Sequence, residues 1–335
     1  MRTTLKDIAK ETGLSIATVS RTLSRNKRTY SKSEEKIYSA ARKLGYPFIT
    51  LEKRDGKTSI ALVTEMHQGE FYSSLFNGFY RASQKTNSEV IFVNLPNHDY
   101  DPVDYVISLK NKYHGICLFL PGLRKSHYEK IKTIAGNYPL VSLIPMKNPK
   151  IDTVSFDSYS GGYMVAKLFQ ERGYTDLGYI SGPPTAMDAV YRKNGFIDHI
   201  DQTKGLKLVW EYEGDFTSTS GIKAFLDFKV HCEKRSLKNI AIFGCNDHAC
   251  FGFMKTATQH NYSIPSDFII AGFDNLTFCE TITPELTSIS TDFEELGIKT
   301  IRVLKNMIAE NLPSLGHTTM IPVKIIKRKS TQLAR

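Results

Sequence analysis

Apolar residues in the first part of the chain recur every three or four positions, which is the period of an α-helix. Residues 5–12 carry one such stripe, and Gly13 follows as a residue that can end a helix with a positive φ. Residues 16–23 carry a second stripe, preceded by Ser15, a residue well suited to cap a helix. Two short helices joined by a tight turn that contains glycine predict a helix-turn-helix.

A third helical pattern follows within the first fifty residues. Residues 31–34, Ser-Lys-Ser-Glu, have the sequence of a capping box, in which two side chains cap each other's backbone amides. Ile37, Ala40, Ala41 and Leu44 form its apolar stripe. Three helices in so short a segment predict a small all-α domain.

Beyond residue 58 the pattern changes to short, continuous apolar runs that alternate with amphipathic segments. The predicted strands are 59–64, 90–94, 115–120, 140–143, 153–156, 177–180, 240–243 and 268–272. Helices fit between them, for example 74–86, 161–172 and 247–261. Continuous apolar strands that alternate with helices predict a parallel, doubly wound α/β architecture.

The positive charge of the chain is concentrated near its start. The 335 residues carry a formal net charge of +10. Residues 1–58 hold fourteen lysines and arginines against six acidic residues, a local net of +8. We expect this segment to face a polyanion such as DNA, although charge alone leaves a solvated basic surface without a partner as the alternative.

Several other classes of protein are disfavoured by the sequence. No apolar run approaches the roughly 18 residues of a membrane span, and the N-terminus lacks a signal-peptide pattern, so we expect a cytoplasmic protein with no membrane partner. The five cysteines include no C-x-x-C pair, so we expect reduced thiols and no metal. G-x-G-x-x-G after the first strand, Walker A and G-x-S-x-G motifs are absent. We therefore expect no enzyme, no catalytic residues and no cofactor.

The first motifs carry a specific resemblance. Segments 4–9, 13–15, 17–23 and 44–46 read Thr-Leu-Lys-Asp-Ile-Ala, Gly-Leu-Ser, Ala-Thr-Val-Ser-Arg-Thr-Leu and Leu-Gly-Tyr. They resemble the headpiece of the LacI/GalR (lactose/galactose repressor) family of transcription regulators. In that family the second helix enters the major groove of operator DNA.

The resemblance implies a set of DNA-binding residues. The positions that match its base-contacting residues are Ile16, Ala17 and Arg21. An arginine suits the guanine edge and small apolar groups suit the thymine methyl, while a phosphate contact is the alternative for Arg21. The predicted phosphate contacts are Thr4, Ser15, Thr18 and Ser20.

The following segment departs from the family. In the resembled family, the Leu-Gly-Tyr segment is followed by Pro-Asn and by a short helix whose leucine inserts into the minor groove. Residues 47–58 lack the asparagine, have no leucine at the matching place and include Glu52 and Asp55. We interpret 47–58 as an atypical hinge. Whether Leu51 or Ile49 supplies a wedge, or the segment is a linker alone, stays open.

The resemblance extends over essentially the whole chain. It implies a headpiece at 1–46 and, over 59–330, an effector-binding and dimerisation domain like the periplasmic sugar-binding proteins. That domain has two subdomains, and the chain crosses between them near 154–157, 287–291 and 318–322.

In such folds, ligands bind at the carboxyl ends of the strands. The residues there that match family motifs, and that we predict to bind the effector, are Phe71, Tyr72, Asp157, Arg192, Phe216, Asn246 and Asp274. The polar members can bond sugar hydroxyls, and the aromatic members can pack against a sugar ring. The alternatives are helix capping for the aspartates, a structural ion pair for the arginine and core packing for the phenylalanines.

Together these patterns predict a sequence-specific transcription regulator, a repressor of sugar uptake or catabolism genes. Its affinity for double-stranded operator DNA would be controlled by a small-molecule effector, a sugar, that binds between the two subdomains. A purine or a partner protein in place of the sugar is one alternative, and a solute-binding protein without gene regulation is another. Since one headpiece reads about half an operator, and no leucine heptad follows residues 325–329, we expect a homodimer.

Overall fold

A computed structural model describes residues 4–23, 31–44, 57–65, 69–96, 101–235 and 239–332. The predicted hinge lies outside these ranges except for its last two residues, and so do Ile49 and Leu51, the two candidates for a groove-inserting wedge. Among the described helices, none is both long and apolar enough to cross a bilayer. The five cysteines are free thiols, and four of them are buried.

The first three helices are α1 (Leu5–Thr12), α2 (Ile16–Leu23) and α3 (Lys32–Lys43). Their mutual core is built on Ile8, Val19 and Ile37, each of which is fully buried. Gly13 ends α1 with a φ of 71°, as the sequence pattern predicts. The helix-turn-helix prediction and the third helix are both confirmed.

The rest of the chain forms two six-stranded sheets. The strands of the first are β1 (Thr58–Thr64), β2 (Ser88–Asn94), β3 (Gly115–Phe119), β4 (Leu140–Ser142), β5 (Asp152–Phe156) and β11 (Thr318–Ile321), in the order β11-β5-β4-β3-β1-β2. The strands of the second are β6 (Asp176–Ser181), β7 (Lys207–Glu213), β8 (Ile240–Gly244), β9 (Phe268–Asp274), β10 (Thr287–Ser290) and β12 (Lys324–Ile326), in the order β12-β10-β9-β8-β6-β7. Neighbouring strands are parallel except for β12, which is antiparallel to β10.

Helices cover both faces of each sheet, so the α/β prediction is confirmed. The first sheet packs with α4 (Glu70–Lys85), α5 (Pro102–Ser108), α6 (Lys125–Ala135) and α11 (Phe293–Glu310). The second packs with α7 (Ser158–Glu171), α8 (Met187–Gln202), α9 (Ser218–Arg235) and α10 (Asp247–Gln259). We call these two units the N-terminal and C-terminal subdomains.

The chain passes between the subdomains three times. It leaves the first sheet after β5, returns after β10 to build α11, and leaves again between β11 and β12. Each subdomain is therefore assembled from segments that are far apart in the sequence. Three segments of the chain, rather than one flexible linker, connect the two subdomains.

Helices α7 and α8 touch backbone to backbone. A β-carbon on Gly162 would lie 1.9 Å from the carbonyl oxygen of Arg192, and one on Gly195 would lie 1.9 Å from that of Tyr159. Both distances are far below van der Waals contact, so only glycine fits at either position. This contact fixes the position of α8, which carries Arg192.

Candidate functional site

Helix α2 presents one face to the core of the headpiece and the other to solvent. Val19 and Thr22 are buried, and the carbonyl of Thr22 accepts a hydrogen bond from the hydroxyl of Tyr38 at 2.8 Å. Ile16, Ala17 and Arg21 are exposed, and Ile16 leaves 45% of its surface uncovered. An exposed arginine one helical turn after an exposed alanine, with an exposed isoleucine at the start of the same helix, is a surface suited to base edges in a groove.

Three of the four predicted phosphate contacts lie at the starts of the first two helices, and the fourth, Ser20, lies in the second half of α2. The backbone amide and the hydroxyl of Thr4 donate to Asp7 Oδ2 at 2.7 and 2.8 Å. The amide of Thr18 donates to Ser15 Oγ at 3.1 Å, and the two hydroxyl oxygens lie 2.8 Å apart. Thr4, Ser15 and Thr18 are exposed, and Ser20 is half-buried. Thr4 and Ser15 thus lie at helix N-termini with their side chains at the surface, and Thr18 is the residue whose amide Ser15 caps.

A cavity of about 400 Å³ lies between the two subdomains. Six of the seven predicted effector residues line it: Phe71, Tyr72, Arg192, Phe216, Asn246 and Asp274. Strand ends and helix starts of both subdomains contribute to it, as expected for ligand sites at the carboxyl ends of parallel strands. Its N-terminal wall is apolar and aromatic, and its C-terminal wall is polar.

Arg192 is the centre of the polar wall. Its Nη1 donates to the carbonyl of Cys245 at 2.5 Å, and its Nη2 donates to Asp274 Oδ1 at 3.2 Å. The guanidinium carbon lies 3.7 Å from the centre of the Phe273 ring, a cation–π contact. Arg192 is therefore held in place by its own subdomain.

Several carboxylates share this one guanidinium. Burial raises the pKa of Asp274 to about 7, against the opposing effect of Arg192, and Asp247 and Asp188 raise it further. Burial also raises the pKa of Asp247 to about 6, while hydrogen bonds from Ser288 and the amide of Leu276 oppose the rise. One arginine does not neutralise three acids, of which Asp247 and Asp274 are buried and Asp188 is half-buried, so the cluster favours the uptake of a proton.

Asn246 positions its neighbours with both ends of its amide. Its Oδ1 accepts from the amide of Ala249 at 3.0 Å and caps α10, while its Nδ2 donates to the carbonyl of Phe216 at 2.9 Å. Phe216 has a φ of 68°, in the region that favours glycine. A hydrogen bond to its carbonyl helps to hold that backbone and to aim the ring into the cavity.

Asp157 is the predicted effector residue that the structure does not bring to the cavity. Its carboxylate accepts from the amide of Ser160 at 3.0 Å and caps α7, and it is absent from the lining residues. The position directly after a strand suits a ligand-binding aspartate and a helix cap alike. The structure supports the capping role for Asp157 instead of the predicted effector contact.

Two acidic residues of the polar wall were missed by the sequence reasoning. Asp188 lies one helical turn before Arg192 on α8, and Asp215 precedes Phe216; both line the cavity. Burial raises the pKa of Asp188. The spacing of four residues between Asp188 and Arg192 places them on one helix face and was the available signal.

The opposite wall is formed by packed aromatic rings. Phe71 lies 5.7 Å from Phe119 in a stacked arrangement and meets Tyr72 and Phe293 edge to face at 5.6 and 5.3 Å. Burial raises the pKa of Tyr72 to about 12, so its hydroxyl stays protonated. These rings offer flat apolar faces to a ligand.

Contacts across the mouth of the cleft join the two subdomains. Glu70, at the start of α4, accepts a hydrogen bond from the amide of Thr277, which follows β9. A β-carbon on Gly69 would lie 3.6 Å from Nε2 of His248, whose ring packs 5.3 Å from Phe278. The described conformation is therefore one in which the cleft is closed at this edge.

Two family models match the chain. Residues 4–47 match the model of bacterial regulatory proteins of the lacI family. Residues 166–331 match the model of the periplasmic binding protein-like domain. The first match covers the helix-turn-helix, and the second covers most of the C-terminal subdomain.

Individual relatives match over nearly the full length. The chain is 24% identical to the HTH-type transcriptional repressor PurR of Mannheimia succiniciproducens, covering 98% of both chains. It is 26% identical to the ribose operon repressor of Halalkalibacterium halodurans, covering 98% of this chain and 97% of that one. A Lac repressor dimer bound to operator and the anti-inducer ONPF has a similar structure, with a TM-score of 0.72, 19% identity and coverage of 99% and 100%.

Proposed function

The chain belongs to the LacI/GalR family of DNA-binding repressors with an effector-binding domain, and we propose that it controls genes for the uptake or catabolism of a sugar. It is a transcription regulator, not an enzyme. The observation that supports a sugar is the pairing of an aromatic wall with a polar wall in one cavity of about 400 Å³. A sugar ring has apolar faces and hydroxyl edges that match such a pair.

The proposed contacts follow from the two walls. Phe71, Tyr72 and Phe216 would pack against the ring of the sugar, while Arg192 and Asp274 would bond its hydroxyls. Asn246 would act chiefly by holding Phe216, because both ends of its amide are already engaged.

The proposed response depends on closure of the cleft. A ligand that touches both walls binds the closed arrangement better than an open one, so it shifts the population toward closure. Because three chain segments connect the subdomains, closure of the cleft becomes a rotation of one subdomain against the other. In a dimer this rotation would change the spacing of the two headpieces on an operator.

DNA recognition is proposed for the exposed face of α2. Ile16, Ala17 and Arg21 would contact base edges in the major groove. Thr4, Ser15, Thr18 and Ser20 would contact phosphates, which fix the register of the headpiece. A regulator acts where the chromosome is, so we also propose a cytoplasmic location.

An exposed apolar stripe supports the proposed homodimer. Ile222, Leu226 and Val230 lie on one face of α9 at intervals of four residues and are 39%, 45% and 48% exposed. Contiguous apolar side chains on a surface helix mark an interaction site. The related Lac repressor structure is described as a dimer on its operator.

The second candidate effector is a purine. The stacked Phe71 and Phe119 rings would suit a planar base as well as a sugar ring. A thermal-shift screen of the full chain with sugars, sugar phosphates and purines separates the two classes. A ligand at 100 times its Kd stabilises the folded state by about 2.7 kcal/mol.

The same ligand must then act on DNA. We expect a stabilising sugar to change the affinity of the protein for an operator selected from random duplexes. Stabilisation by purines alone, or by a partner protein and no sugar, would contradict the proposal.

A further inference from the structure

The charge of the polar wall is unbalanced. Asp188, Asp215 and Asp274 line the cavity, while Arg192 is the one lysine or arginine among its described lining residues. His248 also lines it, but burial lowers the pKa of this histidine, so its ring is neutral at neutral pH. The wall therefore carries more negative than positive charge.

The single guanidinium is already committed. It bonds Asp274 and the carbonyl of Cys245, and its flat face covers Phe273. The hydrogen-bond donors to the two other acids are neutral. Asp188 accepts from the hydroxyl of Ser158 at 3.3 Å, and Asp215 accepts from the amide and the hydroxyl of Thr217 at 3.0 and 2.5 Å.

Arg192 also retains one unused donor. The side chain is only 6% exposed, and its Nε is buried without a hydrogen-bond partner in the part of the chain that the structure describes. Buried donors are almost always paired, so the unpaired Nε leaves this guanidinium without its full set of acceptors.

The opposite wall favours a cation as well. The faces of Phe71, Tyr72 and Phe119 carry the negative part of the ring quadrupole, which attracts an ammonium group. A phosphate or carboxylate would meet acids on one side and aromatic faces on the other. Both walls thus disfavour an anionic effector.

We infer that the effector is an amino sugar whose protonated amine lies against Asp188 and Asp215, while its ring hydroxyls meet Arg192. This inference rests on the proposed function, that the cleft binds a sugar. An ammonium group beside Asp188 would bring positive charge to the cluster of Asp188, Asp247 and Asp274, which otherwise takes up a proton.

The test compares sugars that differ only at one amine. The probes are D-glucosamine, D-galactosamine and D-mannosamine, their parent hexoses and their N-acetyl derivatives, titrated into the full-length protein by calorimetry at neutral pH. We expect at least one amine to bind about tenfold or more tightly than its parent and its N-acetyl form, because a charge-assisted hydrogen bond is roughly twice as strong as a neutral one.

Variants assign the preference to the acids. Asp188→Asn should bring the amine and its parent hexose to within about twofold of each other, since it removes the charge and keeps the shape. Asp201→Asn is the matched control, because Asp201 is an exposed acid on the same helix. If Asp188→Asn does not fold, judged by its circular dichroism, the exposed Asp215→Asn carries the same comparison.

The outcomes separate this inference from the proposed function. Hexoses that bind as tightly as their amines would overturn the inference but leave the proposal of a sugar effector intact. A preference for the amine that persists in both Asp188→Asn and Asp215→Asn would do the same. If no amine binds and hypoxanthine or guanine does, both the inference and the sugar proposal fail.

Discussion

Arg192 is fixed at three points by the protein itself: the Cys245 carbonyl, Asp274 and the Phe273 ring. A side chain held in this way loses little conformational freedom when a ligand arrives, so less of the binding free energy is spent on ordering it. The free-energy cost of this arrangement is the burial of the acidic side chains around Arg192. Asp274 is 4% exposed and shares the guanidinium with Asp247 and Asp188.

Because the acidic cluster takes up a proton, we expect the stability of the protein to depend on pH. The pKa of Asp274 is about 7 in the fold, against about 3.9 in an unfolded chain. The folded state therefore binds this proton more tightly, and the resulting stability is present at low pH and is lost as pH rises through about 7. We expect the free energy of unfolding of the wild type to fall relative to that of Asp274→Asn between about pH 4 and pH 7, the interval between the unfolded and folded pKa values, and the difference to level off above it.

Denaturant titrations of both proteins across this range measure the difference. Titrating groups away from the acidic cluster contribute equally to the two proteins and cancel, so the difference measures the proton uptake of Asp274 together with that of its neighbours Asp247 and Asp188. A difference that stays constant with pH would show that Asp274 does not carry the proton.

Arg21 gives the second prediction at this scale. Arg21→Ala should cost about 1–3 kcal/mol on the selected operator and relax the preference at one base pair, because a bidentate contact to guanine is lost. Lys6→Ala, which removes an exposed positive charge on α1 outside the predicted base contacts, is the control and should weaken all duplexes alike, because attraction to phosphates does not depend on base sequence. Fluorescence anisotropy with single-base operator variants measures both. Uniform weakening by Arg21→Ala would indicate a phosphate contact.

Individual site residues differed in how far the sequence could predict them. Phe71 and Asp274 were found because they follow or end strands, where this fold class places ligand sites, and because they match family motifs. Asp157 shares that position but caps a helix. Asp188 was missed because a helix side chain reaches the cavity only through the packing of α7 on α8, and that packing is a tertiary fact.

At the scale of elements, the glycine contact between α7 and α8 is the most demanding feature of the C-terminal subdomain. The same arrangement recurs between α9 and α10, where a β-carbon on Gly221 would lie 2.0 Å from the carbonyl oxygen of Ala249. Both helix pairs pack at a separation that any side chain would increase. The cleft face of α8 depends directly on that separation.

Gly162→Ala should therefore affect binding as well as stability. The added methyl would meet the carbonyl of Arg192 and push α8 outward, at a cost of about 1–3 kcal/mol for overpacking. We expect a lower Tm and weaker effector binding, measured by calorimetry and thermal unfolding. Lys167→Ala, an exposed change on the same helix, should alter neither. Unchanged affinity in Gly162→Ala would show that α8 tolerates the shift.

The strands divide into those that the pattern predicted and those it missed. Central strands such as β8 and β9 are buried on both faces and form continuous apolar runs. The missed strands β7, β11 and β12 lie at sheet edges and are partly exposed, so polar residues interrupt them. β10 is also short, with four residues and only one large apolar side chain. Edge strands owe their pairing to the neighbouring strand more than to their own sequence.

At the scale of the whole molecule, the proposed regulation requires two copies of the chain to move together. The apolar stripe on α9 is the described surface best suited to hold them together. Its three side chains are exposed, whereas Phe225 and Phe228, on the other face of the same helix, are buried. A helix with apolar residues on both faces needs a partner on each.

Leu226→Asp should therefore dissociate the dimer, because it places a charge in the apolar stripe. We expect a monomer by analytical ultracentrifugation and a loss of about tenfold or more in operator affinity, since each monomer then binds one half-site alone. Ile134→Asp is the control, an equivalent change at an exposed isoleucine on α6. A Leu226→Asp dimer as stable as the control would place the interface elsewhere.

The three passages between the subdomains also set an order of events during synthesis. The headpiece core involves its own residues, so it needs nothing that comes later in the chain. The N-terminal sheet, in contrast, stays incomplete until β11 leaves the ribosome, after α11 and most of the C-terminal sheet. A ribosome that stalls before residue 321 would therefore leave a folded headpiece without a complete effector-binding domain. Under the proposed function, such a chain would carry the DNA-binding unit without the effector control that the complete domain supplies.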